Sequence, residues 1–222
     1  MELPQEEAGH CLRVLRMKEG DHLRITDGKG SFYNAVISGA QGKRCMVHIE
    51  SEERQEPLWS GHLHIALAPT KLMDRNEWFV EKAVEIGVDE ITFLKTDHSE
   101  RDVIKMERIE KIAVSAMKQS QKAMLPALKG MVSFKSFIES GFEGDKYIAH
   151  CEPGSKILLQ DAVVSGHDSL VLIGPEGDFS PAEIEMALKA GFKPVSLGPS
   201  RLRTETAALV AVHIMNLAGQ RR

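Results

Sequence analysis

The sequence predicts an α/β protein, a parallel-sheet domain preceded by a small β domain, and three observations carry that reading. From His62 onward, short apolar runs alternate with helix-periodic segments, the pattern of strands joined by crossover helices. Before Pro57, the chain instead alternates apolar and polar residues about the turn Asp27-Gly28-Lys29-Gly30. Between Leu170 and Ala207, two strand-like runs, LVLIGPEGDFSPAE and VSLGPSRLRTETA, each stop at a Gly-Pro turn, with a capped helix between them. Strand-to-helix loops of this kind are where open parallel sheets hold ligands. The expected division is therefore 1–57 and 58–222.

The elements follow in order. Residues 5–16 read as a helix, with Leu12 and Leu15 three apart and Arg13 and Arg16 three apart on another face. Residues 21–37 form a hairpin, and 45–49 a further short strand; with the helix they make a small β-barrel. The polar stretch 51–56, ending at Pro57, is the expected linker. Beyond it come a strand at 62–68, a helix at 75–86 closed by Gly87, a strand at 90–94 and a helix at 105–121. On that second helix Ile109, Ile112, Ala113 and Ala116 make one apolar stripe. Further strands are expected at 147–150, 169–173 and 195–197. Ser180, Pro181 and Glu183 occupy the N-cap, first-turn and capping-box positions of a helix that starts after Phe179. The last helix, 206–217, carries Leu209, Val210, Val212, Ile214, Met215 and Leu217 on more than one face, so it is buried on two sides, in the core or against a second subunit.

Composition narrows the function. A chain of 222 residues that is 42% hydrophobic and 27% charged is of ordinary globular type, and no apolar run approaches the ~20 residues of a membrane span. The start, Met-Glu-Leu-Pro-Gln-Glu-Glu, lacks a signal region, so a cytoplasmic location is expected. Cys11, Cys45 and Cys151 are odd in number and far apart, which suits neither a disulfide framework nor a metal site. His62 and His64 share a strand face but lack a third ligand, and no metal is expected. A net charge of -4 leaves RNA binding to local clusters: Arg13, Arg16 and Lys18; Lys118, Lys122 and Lys129; Arg201 and Arg203.

There is no G-x-x-x-x-G-K-[ST] phosphate loop, no G-x-G-x-x-G turn and no G-x-S-x-G elbow, which weakens kinase, dehydrogenase and hydrolase readings. What remains is the pair of glycine-rich loops, where Gly174 and Gly177 leave bare backbone open to close approach by a ligand.

IGPEGDFSPAEI, LGPSRLRTETA and the upstream APTKLMDRNEWFVEKAVEIGVDEI resemble the RsmE family of ribosomal RNA small-subunit methyltransferases, in the SPOUT superfamily. His10 with Val14-Leu15-Arg16 resembles that family's N-terminal motif, and Gln119-Ser120 its central Q-S motif. The resemblance covers nearly the whole chain. It implies a PUA-like β-barrel, then a SPOUT α/β domain whose parallel sheet is tied in a deep trefoil knot. It also implies a homodimer, S-adenosyl-L-methionine as methyl donor, and N3 of one uridine in 16S ribosomal RNA as acceptor, in naked RNA or in the assembled 30S subunit.

Carried over residue by residue, the resemblance places the cofactor at Ala149, His150 and Cys151, at Leu172, Ile173, Gly174, Glu176 and Gly177, and at Leu197, Gly198, Ser200 and Leu202. It places catalysis at Arg203 and Glu205. Arg203 would stabilise the uracil anion as the N3 proton leaves, and Glu205 would orient Arg203 or take part in proton removal. RNA contacts fall to Arg13, Arg16, Lys71, Lys122 and Arg201. The chain departs from the family pattern at Asp178, where Gly is commonest, at Lys122, where Arg is usual, and at Ser115, often Glu. It begins where relatives carry a further short segment, so an edge strand of the barrel is expected to be missing. Two other readings stay open: a SPOUT enzyme acting on another RNA such as transfer RNA, and a non-catalytic RNA-binding assembly factor.

Overall fold

The structure, a computed structural model, describes residues 1–220, which fall into two compact units. The first comprises Met1–Glu56 with Gln121–Met124, and the second Pro57–Ser120 with the described chain from Leu125 onward.

In the first unit, helix α1 (Gln5–Gly9) runs into a π-helical turn (His10–Val14), and strands β1 (His22–Thr26), β2 (Ser31–Gln41) and β3 (Arg44–Arg54) form an antiparallel sheet in that order. The single helix expected over 5–16 is thus cut short. Ala8 and Cys11 are buried, whereas Val14 and Leu15 are 67% and 56% exposed, so the last turn has no packing to hold it in α geometry. The chain leaves it at Arg16 with φ 56. The expected linker 51–56 is largely strand: β3 continues through Arg54, pairing Ser51 with Asn34 and Arg54 with Ser31. Its polarity reflects exposure on both faces, and side chains tie it to its neighbours. Ser31 Oγ donates to Glu52 Oε1 at 2.7 Å, and Arg24 Nη2 to Glu53 Oε2 at 2.8 Å. Leu3, Ala8, Cys11, Ala35, Ile37, Cys45 and Val47 make the core. Gln121–Met124 joins this unit through Gly30 N–H to Ala123 O at 2.9 Å and Ala123 N–H to Gln55 Oε1 at 2.8 Å.

The second unit is a parallel seven-stranded sheet. Along the chain come β4 (Leu63–Leu67), α2 (Met73–Ile86), β5 (Glu90–Lys95), α3 (Met106–Gln119), β6 (Ala127–Ser133), α4 (Phe134–Glu139), β7 (Asp145–Ala149), β8 (Ile157–Leu158), α5 (Leu159–Ala162), β9 (Ser169–Ile173), α6 (Pro181–Lys189), β10 (Lys193–Ser196) and α7 (Thr204–Gly219). The spatial order is β6-β5-β4-β9-β7-β10-β8, and every ladder is parallel. Strands β4 and β9 are buried along their whole length, as strands covered on both faces must be.

Alternation along β9 divides the two cores: Val171 and Ile173 pack with α2, α3 and α7, while Leu170 and Leu172 pack with α4 and α6. β6 and α4 went unread in the sequence because β6 is a half-exposed edge strand interrupted by Gly130. Among the described residues no helix is long and apolar enough to cross a membrane.

Candidate active site

The C-terminal ends of β7, β9 and β10 open into a cavity of about 910 Å³, within the range of roughly 300–1,000 Å³ typical of small-molecule sites. Its walls are residues 149–151 at the end of β7 with Lys156, residues 173–178 at the end of β9, and residues 195–203 at the end of β10, continued by Thr204 and Ala207 of α7. Arg75, from the first turn of α2, completes it. The β10 loop turns at Gly198 with φ 121, a backbone conformation that residues with a Cβ rarely adopt.

The loop after β9 is anchored from several sides. Ser180 Oγ accepts the Glu183 N–H at 3.3 Å and Glu183 Oε2 accepts the Ser180 N–H at 2.8 Å, so the expected capping box is present. The same box reaches sideways: Glu183 Oε1 accepts the Asp97 N–H at 2.9 Å, and Ser180 Oγ donates to Asp97 Oδ2 at 2.6 Å. Glu176 Oε1 accepts the Lys71 N–H at 3.0 Å, and His98 Nδ1 lies 3.0 Å from the carbonyl oxygens of both Gly177 and Asp178. Asp178 has φ 63; its Oδ1 accepts the Phe179 N–H at 2.8 Å and its Oδ2 the Cys151 N–H at 2.6 Å.

Of the residues expected at the cofactor, Ala149, His150, Cys151, Ile173, Gly174, Glu176, Gly177, Leu197, Gly198, Ser200 and Leu202 line this cavity, together with Arg201 and Arg203. Leu172 does not. Strand alternation turns it to the opposite core beside Phe179 and Ile184, so the apolar contact at this point of the wall is Ile173 alone. Glu205 stands behind the wall, 7% exposed, and its ion-pair partner is not Arg203 but Arg75, with Nη1 3.4 Å from Oε1. Its Oε2 is buried with no hydrogen-bond partner.

Burial, reinforced by the charge of Lys156, lowers the pKa of His150, so its imidazole is neutral at pH 7; its Nδ1 is buried and also without a hydrogen-bond partner. Lys71 Nζ is held by Glu100 Oε2 at 2.7 Å. Lys122 is only 8% exposed, too enclosed to meet a phosphate. Arg13 and Arg16 are exposed in the first unit. Arg75, Lys156 and Asp178 were not singled out as site residues from sequence. Arg75 and Lys156 are ordinary surface-type cations by pattern, and only folding brings them to the cavity.

Residues 3–50 match the RNA methyltransferase PUA domain and residues 56–216 the RNA methyltransferase domain. Over 93% of the chain and 86% of the relative, it is 31% identical to ribosomal RNA small subunit methyltransferase E of Bacillus subtilis. The chain belongs to the RsmE family. Among solved structures similar to this family member, a Porphyromonas gingivalis protein assigned as an rRNA methyltransferase is 49% identical, with a TM-score of 0.94 over 98% of this chain and 93% of that one. A Legionella pneumophila protein assigned as a methyltransferase, solved with the cofactor SAM bound, is 33% identical, with a TM-score of 0.90 over 99% of this chain and 92% of that one. The RsmE resemblance seen in the sequence thus extends over both units.

Proposed function

We propose that this protein transfers the methyl group of S-adenosyl-L-methionine to N3 of a uridine in 16S ribosomal RNA. The observation that carries the proposal is the glycine-lined cavity at the ends of β7, β9 and β10 in a member of an RNA methyltransferase family. The residues fit the cofactor. Gly198 presents bare backbone, with open space where a Cβ would stand. A Cβ at Gly174 would instead meet Asp178 and Phe179, and one at Gly177 would meet His98, so the openness expected of those two glycines is taken up by the loop's own packing. Ile173, Leu197 and Leu202 supply an apolar slot for a flat base, and the unpartnered Nδ1 of His150 offers a hydrogen-bonding atom. When bound, the cofactor's sulfonium supplies an electrophilic methyl carbon.

The chain's own residues align the two reactants and favour the deprotonated base. Arg203, on the cavity wall, hydrogen-bonds the uracil carbonyl oxygens and stabilises the anion left when the N3 proton passes to solvent. Glu205 acts through Arg75, which it holds at the wall. Lys71 and Arg201 offer cations to flanking phosphates, and Arg13 and Arg16 of the first unit offer further cations to the RNA backbone.

Further parts of the reading belong with it. Residues 1–57 serve as a PUA-like barrel and 58–222 as a SPOUT domain with a trefoil knot. Supporting the knot, β10 lies three sheet positions from β4, yet α7 packs back on β4, β9 and α2, so residues 197–203 must cross the ends of β7 and β9 where other loops already stand. Stretching the protein from its termini would leave it short of full contour length by the tightened knot; full extension would remove the knot. Supporting a homodimer, Leu217 of α7 is 46% exposed and Leu209, Val210 and Ile214 are half-buried. The assembled subunit in the cytoplasm is the proposed setting.

The deciding experiment incubates the protein and labelled S-adenosylmethionine with 30S subunits, naked 16S RNA and transfer RNA, then maps the modified nucleoside by mass spectrometry. N3-methyluridine in 16S RNA is expected. Methylation of transfer RNA, or cofactor binding without any methylation, would replace the proposal with one of the two alternatives.

A further inference from the structure

The geometry points to Asp178 as a positioning residue of the cofactor cavity: its carboxylate straps the loop after β7 to the anchored loop after β9. The inference rests on the reading of this cavity as the S-adenosylmethionine site.

Position 178 has φ 63, in the left-handed region where glycine carries no penalty and most other residues do. Aspartate tolerates that conformation best when its side chain makes a local hydrogen bond, and here Oδ1 accepts the next residue's N–H, that of Phe179, at 2.8 Å. That bond fixes the carboxylate and leaves Oδ2 aimed across the cavity wall. There it accepts the Cys151 N–H at 2.6 Å, a short charge-assisted bond between chain segments 27 residues apart.

The two ends of this strap differ in rigidity. The β9 loop is held by Glu176 on the Lys71 N–H, by His98 on two carbonyls and by the capping box of α6. The β7 loop leaves its ladder after Ala149, and residues 151–155 are all exposed. A glycine at 178 would satisfy the backbone without strain but leave Cys151 and its neighbours untied. The carboxylate therefore passes the order of one wall to the other and keeps both at the spacing a ligand meets. Preorganisation of this kind raises affinity by lowering the ordering cost of binding.

Cys151 also supplies a reporter. Cys151 is an exposed residue with its thiol partly covered, whereas Cys11 and Cys45 are buried. Burial raises the Cys151 pKa, and the charge and hydrogen bonding of Asp178 raise it further. Loss of the carboxylate frees more thiolate, and thiolate is the form that alkylates.

The test compares wild type, Asp178→Gly and Asp178→Asn by calorimetry with S-adenosylmethionine, steady-state methylation, thermal unfolding, and iodoacetamide labelling of Cys151 read by peptide mass spectrometry. Asp178→Gly is expected to weaken cofactor binding about tenfold, a charge-assisted bond's worth. It should raise the KM for cofactor more than it lowers kcat, leave Tm undiminished and speed Cys151 alkylation. Asp178→Asn keeps one of the two acceptor bonds and falls between. Unchanged affinity and alkylation in Asp178→Gly would overturn the inference, as would a fall in Tm with binding and kcat lost in parallel. If wild type itself fails to bind S-adenosylmethionine, the cofactor reading fails, and faster alkylation still reports the strap on its own.

Discussion

Arg75 and Glu205, each in the first turn of its helix, meet at 3.4 Å and join α2 to α7 at the edge of the cavity. The Glu205 side chain is 10% exposed and that of Arg75 31%. Deleting the cation leaves a nearly buried carboxylate whose Oε2 already lacks a hydrogen-bond partner. Arg75→Met is expected to destabilise the protein by about 2 kcal/mol, below the range for fully buried pairs because solvent reaches the guanidinium. Combining it with Glu205→Gln should cost less than the two singles added. Urea unfolding of the four-member cycle measures this; strict additivity would dissolve the coupling.

Arg203 is separable from Arg75 by its kinetics. Arg203 lines the cavity, is exposed and forms no ion pair among the described residues, which leaves its donors available to a substrate. Arg203→Ala is expected to lower kcat about 10²–10³-fold, the loss typical of one electrostatic donor at developing charge. Cofactor affinity should hold within a few fold. Arg203→Lys should recover little, because a point ammonium does not match two carbonyl oxygens as a planar fork does. Single-turnover methylation alongside calorimetry tests this, and a loss confined to cofactor affinity would remove Arg203 from catalysis.

Legibility followed locality. The α6 capping box, Ser180 with Glu183, and the apolar stripe of α3 were readable because each is written within one or two turns of sequence. The Gly-Pro loops announced a cavity for the same reason. The end of β3 was not readable: Ser51–Arg54 pairs by backbone and polar side chains, which imitate a linker. The resemblance places Leu172 at the cofactor together with Ile173, but adjacent strand residues face opposite ways, and Leu172 packs into the other core. Nor does any local pattern bring Arg75 to Glu205, 130 residues downstream, or set the Asp178 carboxylate on the Cys151 amide.

Acid stability should depend on His64. Burial pushes its pKa down to about 4, against the pull of the Glu90 charge and with smaller contributions from Lys129 and His62. Nε2 lies 2.9 Å from Thr92 Oγ1 and 3.5 Å from Glu90 Oε1, and the Phe137 and Phe142 rings close the site. An unfolded histidine takes its proton near 6.5. Between 6.5 and 4 the unfolded chain therefore binds more protons than the folded one, and stability rises with pH. The contribution is full above 6.5 and is lost as pH falls toward 4, on the order of 3 kcal/mol. Unfolding free energies of wild type and His64→Leu across this window check it: the slope should flatten in the variant.

Gly87 should be intolerant of any side chain. It ends α2 with φ 125, where an L-residue is strained before packing is considered. Packing then adds a clash, since a Cβ there would come within 2.4 Å of the Trp59 ring and 2.6 Å of Asn216 Nδ2. Neither neighbour is free to give way. Trp59 Nε1 donates to Asp89 Oδ2 at 2.9 Å, that same oxygen accepts the Leu63 N–H at 2.8 Å, and Asn216 Nδ2 donates back to Gly87 O at 3.3 Å. The position thus clamps the end of α2, the start of β4 and the C-terminal half of α7 together. Gly87→Ala is expected to cost about 3 kcal/mol, from backbone strain plus overpacking. For a chain of this size that corresponds to a fall in Tm of roughly 6–12 °C. Trp59→Ala opens space at the clash and should recover part of the loss when combined with Gly87→Ala. Calorimetric scans of the three variants decide it, and a Gly87→Ala protein that melts with wild type would show that the α2 terminus relaxes without strain.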